Sequence, residues 1–428
     1  MTDIIYPKDF KSLDVISLPS VFLLYGEPLS GKTTKLMNVM VQKHRVDPFS
    51  YIFVGPSGFY VREFADRFLQ LVGSIVRKNF YAVDQFAVEI FKEFEPQMLH
   101  INEEFEKVLL SRILENMDLD RSIKRSPEFI DDLLEVIRDV KEKGEDYFTK
   151  FPDDDIYLTV SEAYLRLKDT MNEMKLFDSF DAYNYLSNVD ISFGFKGKYL
   201  FMDGFYDFSP IMSKMLKNIF STFEEIYITC TIDERKIFAQ TSTILEFVDN
   251  LGSDFTVVKQ KIERESSEIS SVTAKKVKYF MKIFGDSTNK NNIEPDFVGL
   301  ERYPNKHIEV ENLCKKVKMM LTTHEYEPGD IAIVLNDLQG YKSLFTRKLE
   351  NYGIPYRIEG DFRLSESFVV NLLLLPLEVV SKGYPPELIM SMVDFGYFSD
   401  IDPVEFESIF LKARVITLPR KRFRAKDR

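Results

Sequence analysis

Residues 21–34 read Val-Phe-Leu-Leu-Tyr-Gly-Glu-Pro-Leu-Ser-Gly-Lys-Thr-Thr, an apolar strand pattern running straight into GxxxxGK[ST]. Few segments restrict a fold so tightly. A buried strand, a tight loop and a helix N-terminus must follow one another. Gly26 and Gly31 let the backbone turn so that its N–H groups converge on phosphate oxygens. Lys32 is placed to reach the β- and γ-phosphates, and the Thr33 hydroxyl to ligate Mg²⁺. The helix expected from Lys32, with Leu36, Met37 and Met40 at helical spacing, adds its positive N-terminal end to the same anion site. The segment therefore predicts nucleotide binding.

The 428-residue length allows two to four domains with sizeable cores. Hydrophobic residues make up 45% and charged residues 29%, as in an ordinary globular protein. Aromatic content is high, with 38 Phe and 21 Tyr but no Trp. Cys230 and Cys314 make no CxxC or zinc spacing, and His44, His100, His307 and His324 form no metal pattern. No Ser/His/Asp or Cys/His nucleophile arrangement stands out. A reducing, cytoplasmic setting fits this cysteine usage. Met1–Phe10 does not read as a signal peptide, and the longest apolar run, Phe368–Val380, is too short to span a bilayer and holds Asn371, Pro376 and Glu378. No membrane association is expected. A net charge of −12 argues against coating of nucleic acid by the whole surface. One basic block does stand out: Arg414, Arg420, Lys421, Arg422, Arg424, Lys426 and Arg428, against Asp427. It reads either as a phosphate-backbone contact or as a solvated terminus.

Along the chain, Leu18–Glu95 predicts strand, loop, helix, strand and helix, with a strand at Tyr51–Val54 and a helix over Val61–Leu71. Ile101–Asn188 changes to helical periodicity, carried by Phe105, Val108, Leu109 and Ile113, then Phe129, Leu133, Leu134 and Ile137, then Tyr164, Leu167, Met171 and Met174. The α/β signal returns at Tyr199–Met202 and Ile226–Cys230, with helices expected at Ile211–Ile219 and Ile237–Leu251. Gly285–Asn292 is the best linker candidate. A second α/β unit is then expected: a helix over Glu309–Leu321, a buried strand over Asp330–Leu335, a helix over Tyr341–Tyr352 and an edge-like strand over Ile354–Ile358. Beyond Leu364 the pattern is helical. The fold class is thus α/β: residues 1–100 and 190–284 form the first domain, 101–189 a helical insertion, 285–362 the start of a second domain, and 363–428 a helical segment with a basic tail.

A phosphate loop needs an acid at the end of a neighbouring strand to hold the metal, and Asp203, closing Leu200–Met202, is the candidate. Lys32 and Asp203 are the candidate catalytic residues, and Thr33 and Asp203 the candidate metal ligands. A competing pattern, Pro152-Asp153 followed by Glu173-Met174-Lys175, imitates the PD…ExK signature of nucleases. That chemistry needs acids on adjacent strands, whereas these residues read as a loop and a helix.

The order of parts resembles superfamily-one helicases of the UvrD/RecB type, and more closely the AddB-type subunit of helicase–nuclease complexes that process double-strand breaks. The resemblance rests on the loop at Gly26–Thr33, Val54-Gly55-Pro56-Ser57 with Glu63, the phrase Met202-Asp203-Gly204-Phe205-Tyr206-Asp207-Phe208-Ser209, Glu309-Val310-Glu311, Asp330–Asp337 with Tyr341, and Gly353-Ile354-Pro355-Tyr356. It covers the chain from Val21 to about Phe398. It implies two RecA-like domains, the second incomplete here, with ATP bound in the cleft between them and single-stranded or end DNA crossing their top. Carried over, Gly26, Glu27, Pro28, Leu29, Ser30, Gly31, Lys32, Thr33 and Thr34 would bind ATP, Asp203 would hold Mg²⁺, and Pro56 and Ser57, with Arg62 nearby, would touch DNA. An AddA-like helicase or nuclease is the implied protein partner.

The sequence also departs from the family pattern. Active helicases commonly carry Glu after the metal-side Asp, and Gly204 stands there. No adenine-contacting Gln appears in Met1–Ser20, a Thr-Phe-His-like DNA motif is replaced by Ala82-Val83-Asp84-Gln85-Phe86, and Asn336-Asp337 stand where a γ-phosphate-contacting Arg is expected. Losing such groups typically costs ~10³-fold or more in rate. The match stops inside what would be the second helical insert, and the rest of that domain, the nuclease domain and the iron–sulfur cysteines have no counterpart here. The reading is an ATP-binding, helicase-like DNA-repair protein with weak or absent hydrolysis. Two alternatives stand beside it: an active superfamily-one helicase completed by a partner chain, and a P-loop regulatory module without a DNA role.

Overall fold

The computed structural model describes residues 18–120, 124, 126–143, 155–189, 191, 198–232, 239–263, 276, 279, 297–324, 326–358, 367–398 and 401–412. The chain falls into two compact units, Met1–Val298 and Gly299–Arg428.

The first unit is built on strands β1 (Ser20–Gly26), β2 (Tyr51–Gly55), β3 (Phe80–Ala82), β6 (Tyr199–Met202), β7 (Glu225–Thr231) and β8 (Thr256–Lys261). They form one sheet in the order β3-β2-β6-β7-β1-β8, and every pairing is parallel. A parallel sheet must be covered on both faces, and strand alternation divides its side chains accordingly. Val21, Leu23, Ile52, Val54, Leu200, Met202, Ile226 and Ile228 share one hydrophobic core. Leu24, Tyr51, Phe53, Phe201 and Tyr227 share another. The second is where the aromatic surplus goes: Phe53 stacks on Phe64 at 3.7 Å, and Tyr227 stacks on both Phe22 and Phe201.

Helices α1 (Lys32–Val46) and α2 (Gly58–Val72) cover the aromatic face through Leu36, Met37, Met40, Phe64 and Phe68. The other face is covered by α3 (Val83–Phe94), α7 (Ser179–Leu186), α8 (Pro210–Phe220) and α9 (Ser242–Asp249). The last of these starts later than the expected Ile237, after a 3₁₀ turn at Ala239–Thr241. Strands β3 and β8 are additions to the expected set.

Between β3 and β6 the chain makes three further helices, α4 (Glu103–Glu115), α5 (Pro127–Lys143) and α6 (Asp155–Glu173). They bury their own core of Leu109, Leu110, Ile113, Leu133, Leu134, Ile137, Ala163, Tyr164 and Leu167. The chain enters and leaves this group through two short paired strands, β4 (Leu99–His100) and β5 (Leu176–Phe177).

The second unit holds α10 (Lys306–Thr322), α11 (Leu338–Asn351), α12 (Phe368–Ser381), α13 (Pro386–Asp394) and α14 (Pro403–Lys412). Val310, Cys314, Val317, Phe345, Leu349 and Ile354 form its core. Two strand expectations fail here. Ile331–Leu335 and Ile354–Ile358 are assigned to no strand, and no sheet lies in this unit among the described residues. Ile331, Ile333 and Leu335 lean on the core, while Val334 is 88% exposed. An apolar β-branched run supplies one strand's worth of donors and acceptors, but a ladder needs a second.

The expected linker at Gly285–Asn292 and the basic residues from Arg414 onward lie outside the described residues. Among those described, no helix is long and apolar enough to cross a membrane.

Candidate functional site

Parallel strands end at a common edge, and that edge is where open α/β sheets place ligands. Here β1 ends at Gly26, in register with Thr231 of β7. Met202 of β6 pairs with Ile228 and with Val54 of β2, so the next residue, Asp203, comes off the sheet beside Thr229 and Gly55. One strand, β7, separates the Gly26 strand from the Asp203 strand.

From Gly26 the chain turns through Glu27–Ser30, where the Ser30 N–H bonds the Glu27 carbonyl at 3.2 Å. Gly31 follows at φ 90°, a left-handed conformation that a side chain would strain, and α1 begins at Lys32. Gly31, as N-cap, offers no side-chain cap, and the first turn carries no acidic residue. The positive end of the helix is therefore uncompensated by side chains and open to an anion. Lys32 is buried, and its ammonium folds back onto the carbonyls of Gly26 (3.1 Å) and Glu27 (2.7 Å) and the Ser30 hydroxyl (3.4 Å). Leu29 (φ 58°) and Glu27 are exposed at the rim, and Thr34 is exposed on the first turn of α1.

The Thr33 hydroxyl donates to Asp203 Oδ1 at 3.2 Å, joining two residues 170 positions apart. Asp203 is 2% exposed. Oδ1 also accepts from Thr229 Oγ1, and Oδ2 accepts from the Tyr60 hydroxyl at 2.5 Å. Burial, and then the Asp203 charge, push the Tyr60 phenol well above the usual tyrosine range, while Thr33 and Arg67 pull the other way. The phenol stays protonated and donates. Gly204 takes φ 86°, and a Cβ there would stand 2.4 Å from Tyr60 Cζ. No side chain starts at 204 while Tyr60 holds this place.

These groups fit a magnesium nucleotide. An uncapped helix end and a buried ammonium match phosphate oxygens, and a hydroxyl beside a carboxylate matches a hard cation. Lys32 and the backbone of Gly26–Thr34 would hold the phosphates, and Thr33 with Asp203 the metal. Tyr60 and Thr229 enter the site unannounced by sequence. Thr229 left a faint signal as a hydroxyl inside the buried run Ile-Tyr-Ile-Thr-Cys-Thr, and Tyr60 left none. Cys230, on the same strand, is pushed up to about 11 by burial and stays a thiol.

The remaining candidates sit apart from this cluster. Ser57 caps α2, accepting from the Tyr60 N–H at 3.3 Å. Pro56 precedes it in the turn after β2. Arg62 is exposed one turn into α2 and bonds no other described residue. Of the nuclease-like pattern, Glu173 ends α6 and Lys175 lies in a turn, and Pro152-Asp153 lies outside the described residues.

The fold and site thus define a parallel α/β unit with an anion-suited strand–loop–helix edge beside a buried carboxylate. No family model matches the chain. Over most of its length it is similar to curated AddB proteins, named as the B-type component of ATP-dependent helicase/deoxyribonuclease. That of Alkaliphilus metalliredigens (strain QYMF) is 23% identical over 424 residues, 90% of this chain and 36% of that protein. That of Clostridium tetani (strain Massachusetts / E88) is 26% identical over 291 residues, 63% and 24% respectively. That of Bacillus mycoides (strain KBAB4) is 21% identical over 399 residues, 85% and 34%. The chain therefore spans about a third or less of these relatives' length.

Proposed function

We propose that this chain is an AddB-like, helicase-type subunit in DNA double-strand-break processing, binding ATP with Mg²⁺ and hydrolysing it weakly or not at all by itself. The observation that carries the reading is the meeting of Thr33 and Asp203 beneath the uncapped start of α1. When bound, Mg²⁺ would neutralise phosphate charge; the chain's own groups orient the phosphates through Lys32 and the loop N–H groups, and hold the metal side through Thr33 and Asp203. Position 204 supplies no base to orient an attacking water, and Tyr60 fills the space where one would begin. The similarity to AddB proteins supports the helicase–nuclease setting and an AddA-like partner.

In this reading residues 1–100 and 190–284 make a RecA-like domain, 101–189 its insertion, 285–362 the start of a second RecA-like domain and 363–428 a helical segment. Pro56, Ser57 and Arg62 contact single-stranded or end DNA, with Arg62 free to meet a phosphate. The test is nucleotide binding and ATPase activity with and without single-stranded DNA. Wild type should bind a fluorescent ATP analogue, and Lys32→Ala should bind ~10–100-fold more weakly, the scale of lost charge-assisted hydrogen bonds. Absence of binding by wild type overturns the reading. Brisk DNA-stimulated turnover that Lys32→Ala abolishes overturns the weak-hydrolysis half of it.

A further inference from the structure

Asp203 is the acid through which the proposed site would hold a divalent metal, yet protein hydroxyls already engage both of its oxygens. Thr33 and Thr229 donate to Oδ1, and Tyr60 donates to Oδ2 at 2.5 Å. Thr33 belongs to the metal side of any such site, and Thr229 comes from the neighbouring strand β7. Tyr60 differs from both, reaching the carboxylate from the first turn of α2 across the space above Gly204.

The fit between Tyr60 and Gly204 is mutual. With φ at 86° and a Cβ 2.4 Å from the ring, position 204 excludes a side chain, and the phenol ring takes the room this leaves. The hydroxyl is a neutral donor held on a buried anion, and such charge-assisted bonds are about twice as strong as neutral ones. A metal or its bound water facing Oδ2 must first displace it.

We propose that Tyr60 is a positioning residue that competes with the divalent metal for Asp203, so that nucleotide binding by this chain depends only weakly on Mg²⁺. The inference rests on the nucleotide reading above. It gives Tyr60 a role distinct from catalysis: it sets how much of the binding the metal contributes. Removing the hydroxyl while keeping the ring frees Oδ2, and the metal's contribution then rises by about the worth of one hydrogen bond to a charged group, on the order of tenfold in affinity.

The experiment titrates a fluorescent ADP analogue into the full chain in excess EDTA and in excess Mg²⁺, and compares the ratio of the two dissociation constants. Wild type should show a small ratio and Tyr60→Phe one about tenfold larger. Thr229→Val, which removes a hydroxyl from the other oxygen of the same carboxylate, should keep the wild-type ratio. This arm separates a metal-facing role from a merely structural one. Equal ratios in wild type and Tyr60→Phe overturn the inference and leave nucleotide binding standing, as does a Thr229→Val ratio that rises as far as that of Tyr60→Phe. No binding by wild type in either condition overturns the nucleotide reading, and this inference with it. Should Tyr60→Phe melt early, Tyr60→Leu serves in its place and must raise the ratio likewise.

Discussion

Two apolar, β-branched runs in this chain look alike and fold differently. Tyr51–Gly55 in the first unit is a central strand, bonded on one side to β3 and on the other to β6, with every residue buried. Ile331–Leu335 in the second unit has comparable composition but no assigned partner strand among the described residues, and its alternate side chains face solvent. Composition sets a segment's capacity to pair, and the presence of neighbours decides whether a sheet and its functional edge exist. The first unit has the neighbours, and its strand ends bring Lys32, Thr33 and Asp203 together.

The sharpest way to break this comparison is to make the same substitution in both runs. Val54 is fully buried between two neighbouring strands, so Val54→Asp places an unpaired charge in a dry core. Such changes belong to the exceptional class above about 4 kcal/mol, which approaches the whole stability of a typical domain. The expected result is little soluble folded protein and no cooperative melt by circular dichroism. Near-normal folding would show that the sheet is not the first unit's framework.

A smaller effect should come from the helical group beside that sheet. Glu106 is buried with Arg138 and Lys141 on one side and Asp178 near it, and its Oε1 finds no hydrogen-bond partner among the described residues. Burial, then Asp178, push its carboxyl up to about 8 from an ordinary 4.5, with Lys141 and Arg138 opposing without prevailing. The folded chain holds a proton that the unfolded chain has released, so stability falls as pH rises from about 4.5 through about 8. Asp178 behaves oppositely: burial pushes it up, but Lys141 pulls it down to about 2, and its contribution is lost only as pH falls below about 4 toward 2. Between pH 6.5 and 9 Glu106 should therefore dominate. Glu106→Gln should flatten the fall in melting temperature over that range, from several degrees to one or two. An unchanged slope would mean that Glu106 is ionised in the fold.

Ser57 gives a still smaller and more local effect. Its side chain caps α2 at the turn after β2, so Ser57→Ala should cost about 1 kcal/mol of stability. Arg62→Ala should leave stability within about 0.5 kcal/mol, since the side chain is exposed and makes no bond with another described residue. If the turn meets DNA, Arg62→Ala should also weaken single-stranded DNA binding in fluorescence anisotropy and shallow its salt dependence. Unaltered DNA binding in both variants would remove this turn from the proposed contact surface.

Much of the first unit could be read from local pattern, because each piece announces itself. The run Val21–Thr34 carries its strand, loop and helix in one stretch, and Tyr199–Asp203 carries an apolar strand closed by an acid. What local pattern leaves out is convergence. Tyr60 lies 143 positions from Asp203, on a helix whose apolar stripe explains it adequately as a packing residue. Strand β8 is missed for another reason. It lies at the sheet edge and reads Thr-Val-Val-Lys-Gln-Lys, with Lys259, Gln260 and Lys261 exposed, the polar dress that protects an edge from further pairing. The reverse error at Ile331–Leu335 has the same root, since a strand pattern records what a segment can do rather than what lies beside it.

That segment supplies the last and smallest expected effect. Val334 projects to solvent, so Val334→Asp, the same exchange that should unfold the first unit at Val54, should cost no more than about 0.5 kcal/mol here. Denaturant unfolding followed by far-ultraviolet circular dichroism should show an unchanged midpoint and slope. The neighbouring Ile333 leans on the core that holds Phe345 and Leu349, so Ile333→Asp should destabilise the second unit by several times as much as Val334→Asp. A two-residue periodicity of large and small effects would then mark one covered face and one bare face in a segment that pairs with no described strand. Equal, large losses at both positions would mean that the bare face is covered in solution, and the contrast with β2 would reduce to a difference of partner rather than of pairing.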